Sequence, residues 1–181
     1  MNQENSAPLQ FKIDKLTNSI ENAITKEVFE TEVIRILTNE KLVLKKSNWQ
    51  FNWEREINTI ENEVYKLVTT NNQNIIQGLV SVVNKGDHIF LSLIENAKFN
   101  KGSKKIYKGV AGNLVAFCCK YSFENGYNGI VSFIAKTKLI QHYKLTLGAK
   151  QFNNSSRMYI DTPEALKLVK QYFKNFNYDK Y

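Results

Sequence analysis

Residues 88–126 read HIFLSLIENAKFNKGSKKIYKGVAGNLVAFCCKYSFENG. The stretch opens with a strand, because His88 to Ile94 is apolar at nearly every position, as in a strand covered on both faces. It closes with a helix. Val110, Leu114, Phe117, Cys118 and Tyr121 recur at the spacing of one helical face, and Asn125-Gly126 supplies a C-terminal cap. Between the two, Lys98, Lys101, Lys104, Lys105 and Lys108 fall within eleven residues that hold no acid. The helix starts on Gly109-Val110-Ala111-Gly112-Asn113-Leu114. Small residues there let a ligand reach the free backbone N–H groups, which together with the helix dipole favour a phosphate. Close helix–strand packing explains the same small residues equally simply, and a solvated loop explains the lysines. The glycine signatures of dinucleotide and P-loop sites are absent, so a phosphate binder here is neither Rossmann nor Walker type.

Working outward, Val64 to Thr69 and Ile75 to Val83 read as strands joined by a turn at Asn71-Asn72. Gly78 inside the second marks a bulge or a close approach. Asn84-Lys85-Gly86-Asp87 turns the chain into the His88 strand, giving an antiparallel meander. On the other side, Ile130 to Ala135 is an apolar strand. Lys136 to Leu147 is a helix with Leu139, Ile140, Tyr143 and Leu147 inward, ended by Gly148. Gln151 to Asn153 and Met158 to Ile160 are short strands. A last helix begins at Pro163 with Thr162 as cap, burying Leu166, Val169 and Phe173. Nearer the start, Phe11 to Leu37 is mixed, with extended structure or a helix both open. Thr38 to Lys46 reads as a short helix, and Glu54 to Ile60 as another behind the aromatic cluster Trp49, Phe51 and Trp53, which plugs a core. Residues 1–9 read as a disordered tail, and residues 10–181 as one domain. The element order predicts an α/β (α+β) sandwich around a mixed central sheet.

At 181 residues the chain is long enough to bury a core without disulfides or metal. Its two cysteines, Cys118 and Cys119, are adjacent, which is neither a disulfide framework nor zinc spacing. They read as a small apolar pair on the helix. His88 and His142 are too few for a histidine-built metal site, and no metal is expected. His88 reads as structural and His142 as surface or acceptor-side. No apolar run approaches the roughly 18 residues of a membrane span, and Met1 to Gln10 lacks the apolar core of a secretory signal. A cytoplasmic protein with no membrane partner is expected. The net charge of +8 favours phosphates, nucleic acid or acidic surfaces.

With these motifs in place, the chain resembles the GNAT superfamily of N-acetyltransferases over about residues 62–162. That family's pyrophosphate loop reads Q/R-x-x-G-x-G/A and opens the helix after the fourth strand; Gly109-Val110-Ala111 matches its second half. The strand Gly129 to Ala135 and the helix carrying Tyr143 ahead of Gly148-Ala149 match the next block. Ile106 stands at the Q/R position, so the usual contact is missing or is replaced by Lys105 or Lys108. Lys136 stands where the family has an asparagine. The resemblance implies a mostly antiparallel mixed sheet with a splayed parallel strand pair, flanked by helices on both faces. It also implies acetyl-CoA as cosubstrate. Leu93 and Ile94, on the backbone up to Glu95, would pair with the pantetheine arm. Val110, Ala111, Gly112 and Asn113 would hold the pyrophosphate with Gly109, and Lys105, Lys108 and Lys136 would assist. Glu95 is the implied base and Tyr143 the implied acid toward the departing thiolate.

The leading reading is therefore an enzyme that acetylates a primary amine. The acceptor stays open among a small amine, a peptide, a protein and an aminoacyl-tRNA, and a homo-oligomer is compatible with it. The second reading is a GNAT-like module that binds acyl-CoA without turnover, or binds none. The third is a nucleic-acid binder using the basic loop with Trp49, Trp53 or Phe99 as stacking partners; no nucleic-acid motif supports it.

Overall fold

In the computed structural model, which describes residues 7–38, 44, 48–177 and 180, ten strands and four helices follow one another. They are β1 (Ile20–Asn22), β2 (Val28–Phe29), β3 (Thr31–Arg35), α1 (Trp53–Asn58), β4 (Asn62–Thr69), β5 (Gly78–Asn84), β6 (Ile89–Asn96), β7 (Tyr107–Lys108), α2 (Val110–Glu124), β8 (Val131–Ile134), α3 (Ile140–Leu147), β9 (Lys150–Gln151), β10 (Arg157–Ile160) and α4 (Thr162–Tyr172). Seven strands form the central sheet in the order β3-β4-β5-β6-β8-β10-β9, and β2-β1-β7 form a small second sheet. Every neighbouring pair in the large sheet is antiparallel except β6 and β8. The sheet is thus mixed and carries the parallel pair that the resemblance implies.

That pair is brief. Ile89 faces Val131 and Phe90 faces Ser132, and there the parallel ladder stops. The cause lies on the other edge of β6. The β5–β6 register runs Ser81 to Leu93 and then Val82 to Leu91, which leaves Ser92 as an extra residue. A bulge of this kind bends its strand and raises its twist. It comes directly after the last contact with β8, so β6 swings away and a cleft opens between the two strands. Of the bulge and the close approach that Gly78 left open, the bulge of this sheet lies at Ser92. Gly78 instead answers a close approach, since a Cβ there would lie 2.8 Å from Val110 Cγ1 and 3.0 Å from Leu114 Cδ1.

Two buried clusters flank the sheet. Tyr65, Leu67, Val80, Val82, Ile89, Leu91 and Ile94 join α2, α3 and α4 in the larger one. Val64, Leu79 and Leu93 join Trp49 and Trp53 in the smaller one. The alternation along β4, β5 and β6 sends neighbouring side chains to opposite faces, as a pleated strand requires. Helix α2 is buried from Val110 through Cys119, packed between the sheet and α4. Burial pushes the thiols of Cys118 and Cys119 above their usual range, so they are inert filling.

Some sequence expectations shift. The Phe11–Leu37 region resolves into extended structure, with β1 and β2 as a hairpin. Helix α4 starts at Thr162 with Asp161 in the cap position. Its buried face is Ala165, Leu168, Val169 and Tyr172, while Leu166 and Phe173 are only partly buried. The helix read over Thr38 to Lys46 lies, Thr38 and Leu44 apart, outside the described residues. So do residues 1–6 of the tail, but Leu9 is buried to 3% exposure and paired with Ala135. Among the described residues, no helix is long and apolar enough to cross a membrane.

Candidate active site

The cleft between β6 and β8 is walled by three elements and crossed by a fourth. The first wall is the end of β6, where Ile94 is buried in the larger cluster and Leu93 in the smaller. The second is β8 with the turn that follows it, carrying Lys136 and leading into Tyr143 of α3. The third is the start of α2. Gly109 precedes that helix in the left-handed region, at φ 80°, a conformation open to glycine at little cost. A Cβ at Gly109 would also stand 2.9 Å from the Ser19 carbonyl oxygen. Glycine is required here by backbone geometry and by close packing together.

The fourth element is the chain's own start. Leu9 pairs in parallel with Ala135, its N–H donating to the Ile134 carbonyl at 2.6 Å and its carbonyl accepting from Lys136 N–H at 3.1 Å. The free edge of β8 is thus taken by Leu9. Gln10 Oε1 accepts from Lys136 Nζ. The Phe11 carbonyl accepts from the Tyr143 hydroxyl at 2.7 Å, and the Phe11 ring lies 5.5 Å from the Tyr143 ring. The Ile13 N–H donates to His142 Nε2 at 2.9 Å. Asp14 then meets the helix start: Oδ1 accepts from Gly109 N–H at 3.2 Å and Oδ2 from Lys105 Nζ at 2.9 Å. Finally the Thr17 N–H donates to the Tyr172 hydroxyl at 3.0 Å.

The apolar/polar alternation Leu9-Gln10-Phe11-Lys12-Ile13-Asp14 carries this arrangement. Leu9 and Ile13 are buried and Phe11 is partly so, with Gln10 and Lys12 exposed and the Asp14 carboxylate turned onto the start of α2. A strict period of two is the signal of a half-buried extended segment. It was present in the sequence, where the expected tail boundary fell after Leu9 and extended structure was one of two readings left open from Phe11 on.

The sequence-derived residues divide accordingly. Gly109, Lys105, Lys136 and Tyr143 converge on the cleft through their contacts with residues 9–14. Val110, Ala111 and Gly112 are buried in the first turn of α2. Asn113 is buried with its amide donating to Thr31 Oγ1 at 2.9 Å, so its side chain serves β3. Lys108 belongs to β7, where it pairs with Glu21. His142, read as surface or acceptor-side, accepts from the Ile13 N–H at the cleft. Tyr172 was not singled out at all, yet a Cβ on Gly112 would stand 2.3 Å from its hydroxyl.

Glu95, the base that the resemblance implies, is held by bonds within the chain. Its side chain is 1% exposed. It accepts from Gln50 N–H at 2.7 Å, Phe51 N–H at 3.2 Å, Trp53 Nε1 at 2.8 Å and Lys101 Nζ at 2.7 Å. Four donors engage both oxygens, which makes the carboxylate a clamp tying the segment before α1 to the end of β6. A base needs a free lone pair aimed at the proton it takes. Trp49 and Trp53 are likewise buried in the smaller cluster and cannot stack on a base. In the basic loop, Lys101 is paired with Glu95 and Lys105 with Asp14.

What the first strap residues leave open is a cavity of about 430 Å³ between Phe11 and Ile13 on one side and Ile94 and Asn96 on the other, with Lys101 and Lys105 at its rim. Asn96 Oδ1 is buried there without a hydrogen-bond partner. Burial raises the Tyr143 phenol above its ordinary range, so it stays a donor at neutral pH. Among the described residues no cluster of three or more His, Cys, Asp or Glu side chains is gathered for a metal.

The His142 contact makes a pH prediction. Nε2 can accept from Ile13 only when it is unprotonated. Burial first, and Lys12 second, hold His142 below its ordinary value. The unfolded state then binds more protons than the folded one as pH falls below about 6.5. The bond's contribution is therefore complete above that pH and is lost as pH falls through the depressed value. Hydrogen–deuterium exchange at the Ile13 amide, corrected for intrinsic rate, is expected to accelerate between neutral pH and pH 5, and His142→Phe is expected to remove that dependence.

No protein-family model matches the chain, and no curated protein matches it. Among solved structures, the matches are distant in sequence. A chimera of spermidine N-acetyltransferase SpeG from Vibrio cholerae and hSSAT shares 14% identity, covering 76% of this chain and 99% of that one, with a TM-score of 0.49. A KacTA–DNA complex shares 12% identity over 78% of this chain and 99% of that one, with a TM-score of 0.49. A streptothricin acetyltransferase of Bacillus anthracis bound to acetyl coenzyme A shares 14% over 78% and 94%, with a TM-score of 0.38. The ligands, acceptors and DNA of those proteins belong to those proteins.

Proposed function

We propose that this chain is an acyl-CoA-dependent acyltransferase of the GNAT type, with the β6–β8 cleft as the cofactor seat and a primary amine as acceptor. The observation that carries the reading is the Asp14 carboxylate, a chain-borne oxyanion held by the Gly109 N–H and Lys105 at the mouth of a splayed parallel pair. Those donors are the ones a phosphate would use. When bound, acetyl-CoA supplies an activated acyl thioester. The chain's own part is positional. Gly109 with the first turn of α2 and Lys105 hold phosphate, and the edge of β8 at Ile134 and Lys136 receives an amide-bearing arm as it now receives Leu9. Tyr143 presents a protonated hydroxyl to the charge that develops on the leaving sulfur. Glu95 shapes the opposite wall and keeps Trp53 and Lys101 in place; no proton transfer is assigned to it.

The non-catalytic reading has one specific observation in its favour, the engagement of Tyr143 by the Phe11 carbonyl. Ala111→Asp tests the seat, and a transfer assay on the native chain separates the two readings. Ala111 is fully buried in the first turn of α2, and a carboxylate there repels a pyrophosphate. Calorimetry is expected to show acetyl-CoA binding to the native chain and none to a folded Ala111→Asp chain. Binding that survives unchanged removes the cofactor from this helix start. Binding without transfer to any amine leaves the non-catalytic reading in its place.

A further inference from the structure

The strap that crosses the cleft uses the same donors and acceptors that the proposed cofactor seat offers. Leu9 takes the β8 edge, Phe11 takes the Tyr143 hydroxyl, and Asp14 takes the Gly109 N–H and Lys105. A peptide and an acyl-CoA cannot hold these groups together, because the Tyr143 hydroxyl has one proton to donate and the Gly109 N–H one hydrogen. We infer that residues Leu9–Thr17 are an intramolecular occupant of the cleft, with the Asp14 carboxylate in the place of a phosphate and the Leu9 and Phe11 backbone in the place of an amide-bearing arm, and that this segment must leave before acyl-CoA can load.

The inference rests on the acyl-CoA reading and adds a gate to it. Its grip is suited to release. The strap joins the large sheet by a single bridge at Leu9 rather than by a ladder. Its other anchors are separate bonds from the Gly109 N–H and from the side chains of Tyr143, His142, Lys105, Lys136 and Tyr172, together with the buried side chains of Leu9 and Ile13. It is also followed at once by β1, whose pairing with β2 and β7 gives the chain a fixed hinge beyond Thr17. Release of Leu9–Thr17 breaks no strand of the large sheet.

A competing occupant lowers apparent affinity by the fraction of molecules left open, so a strap closed nine times in ten weakens binding about tenfold. The direct test is hydrogen–deuterium exchange of the full chain with and without saturating acetyl-CoA. The amides of Leu9, Ile13 and Thr17, each a donor in the closed strap, are expected to exchange faster with acetyl-CoA present. In parallel, calorimetry is expected to show acetyl-CoA binding about tenfold or more tightly to a chain starting at residue 19. Should that truncation fail to fold, the full-length double variant Leu9→Asp, Ile13→Asp serves in its place. Strap amides that stay protected while acetyl-CoA binds, or equal affinities in native and loosened chains, overturn the gate and leave the acyl-CoA reading standing. Absence of acetyl-CoA binding to the native chain and to the folded loosened chain overturns both.

Discussion

Tyr143→Phe is expected to lower the rate of acetyl transfer by about 10²–10⁴-fold, the usual worth of a positioned general acid. The phenol is buried, its ring packed edge-on to Phe133 at 5.3 Å and against Phe11, and phenylalanine keeps that packing. The lost hydroxyl removes one bond to the strap, worth about 0.5–1.5 kcal/mol. The variant should thus fold, with thermal stability slightly reduced. Because the hydroxyl acts only on charge that develops during reaction, it affects turnover rather than ground-state binding. The strap bond sharpens the test, since weakening the strap cannot weaken the cofactor's hold. Affinity for acetyl-CoA is expected to be equal to or tighter than that of the native chain while turnover collapses. Native turnover in Tyr143→Phe leaves the residue as an anchor of the strap alone.

Glu95→Ala is expected to destabilise the fold by about 3–5 kcal/mol, the cost of breaking a buried ionic cluster from one side. The substitution strands the N–H groups of Gln50 and Phe51 and the Trp53 indole N–H, and leaves Lys101 without its counter-charge. A large part of that loss falls on the segment before α1, so Trp53 fluorescence should report local loosening at denaturant concentrations where α2 is still folded. Glu95→Gln retains an acceptor oxygen and most of the packing and is expected to cost less. It also separates the clamp from the base. A folded Glu95→Gln chain with near-native transfer rates fits the clamp, whereas full stability with abolished transfer returns Glu95 to the chemistry.

The contrast between these two residues shows what the sequence carried. The meander β4–β5–β6, helix α2 and strand β8 were legible because local pattern and tertiary environment agree there. A strand buried on both faces has little choice but to be apolar throughout, and a helix that starts on Gly-Val-Ala-Gly announces a tight approach. Tyr143 was legible for the same reason, being spaced four residues from both Leu139 and Leu147 on the inner face of its helix. Glu95 was placed correctly at the end of its strand, but its partners come from residues 50–53 and 101, and no local pattern encodes where those arrive. The bulge fell at Ser92 rather than Gly78 because a bulge is decided by the register between two strands, which neither strand's sequence states alone. The strap was missed although its alternation was visible. Short amphipathic extended segments near a chain start are common, and only the docked geometry shows that Phe11, Ile13 and Asp14 meet Tyr143, His142 and Gly109. Helix α4 starts one residue earlier than read, and Ala165, Leu168 and Tyr172 join Val169 on its buried face in place of Leu166 and Phe173, because the side of a helix that is covered depends on where the sheet and α2 lie.

The basic loop follows the same logic. Its lysines read either as a solvated loop or, from their position beside the proposed pyrophosphate site, as phosphate ligands, yet Lys101 is drawn to Glu95 and Lys105 to Asp14. Opposite charges in a partly dry cleft pair with whatever the chain supplies, and here the chain supplies carboxylates. This pairing leaves Lys105 able to exchange a carboxylate for a phosphate without changing the sign of its partner.

The cofactor seat is tested most directly by native mass spectrometry of the intact chain, and of its Leu9→Asp, Ile13→Asp variant, titrated with acetyl-CoA. A single equivalent is expected on each chain, with occupancy higher on the variant at every concentration. Absence of any acetyl-CoA complex on either folded chain at millimolar cofactor contradicts the seat between β6 and β8.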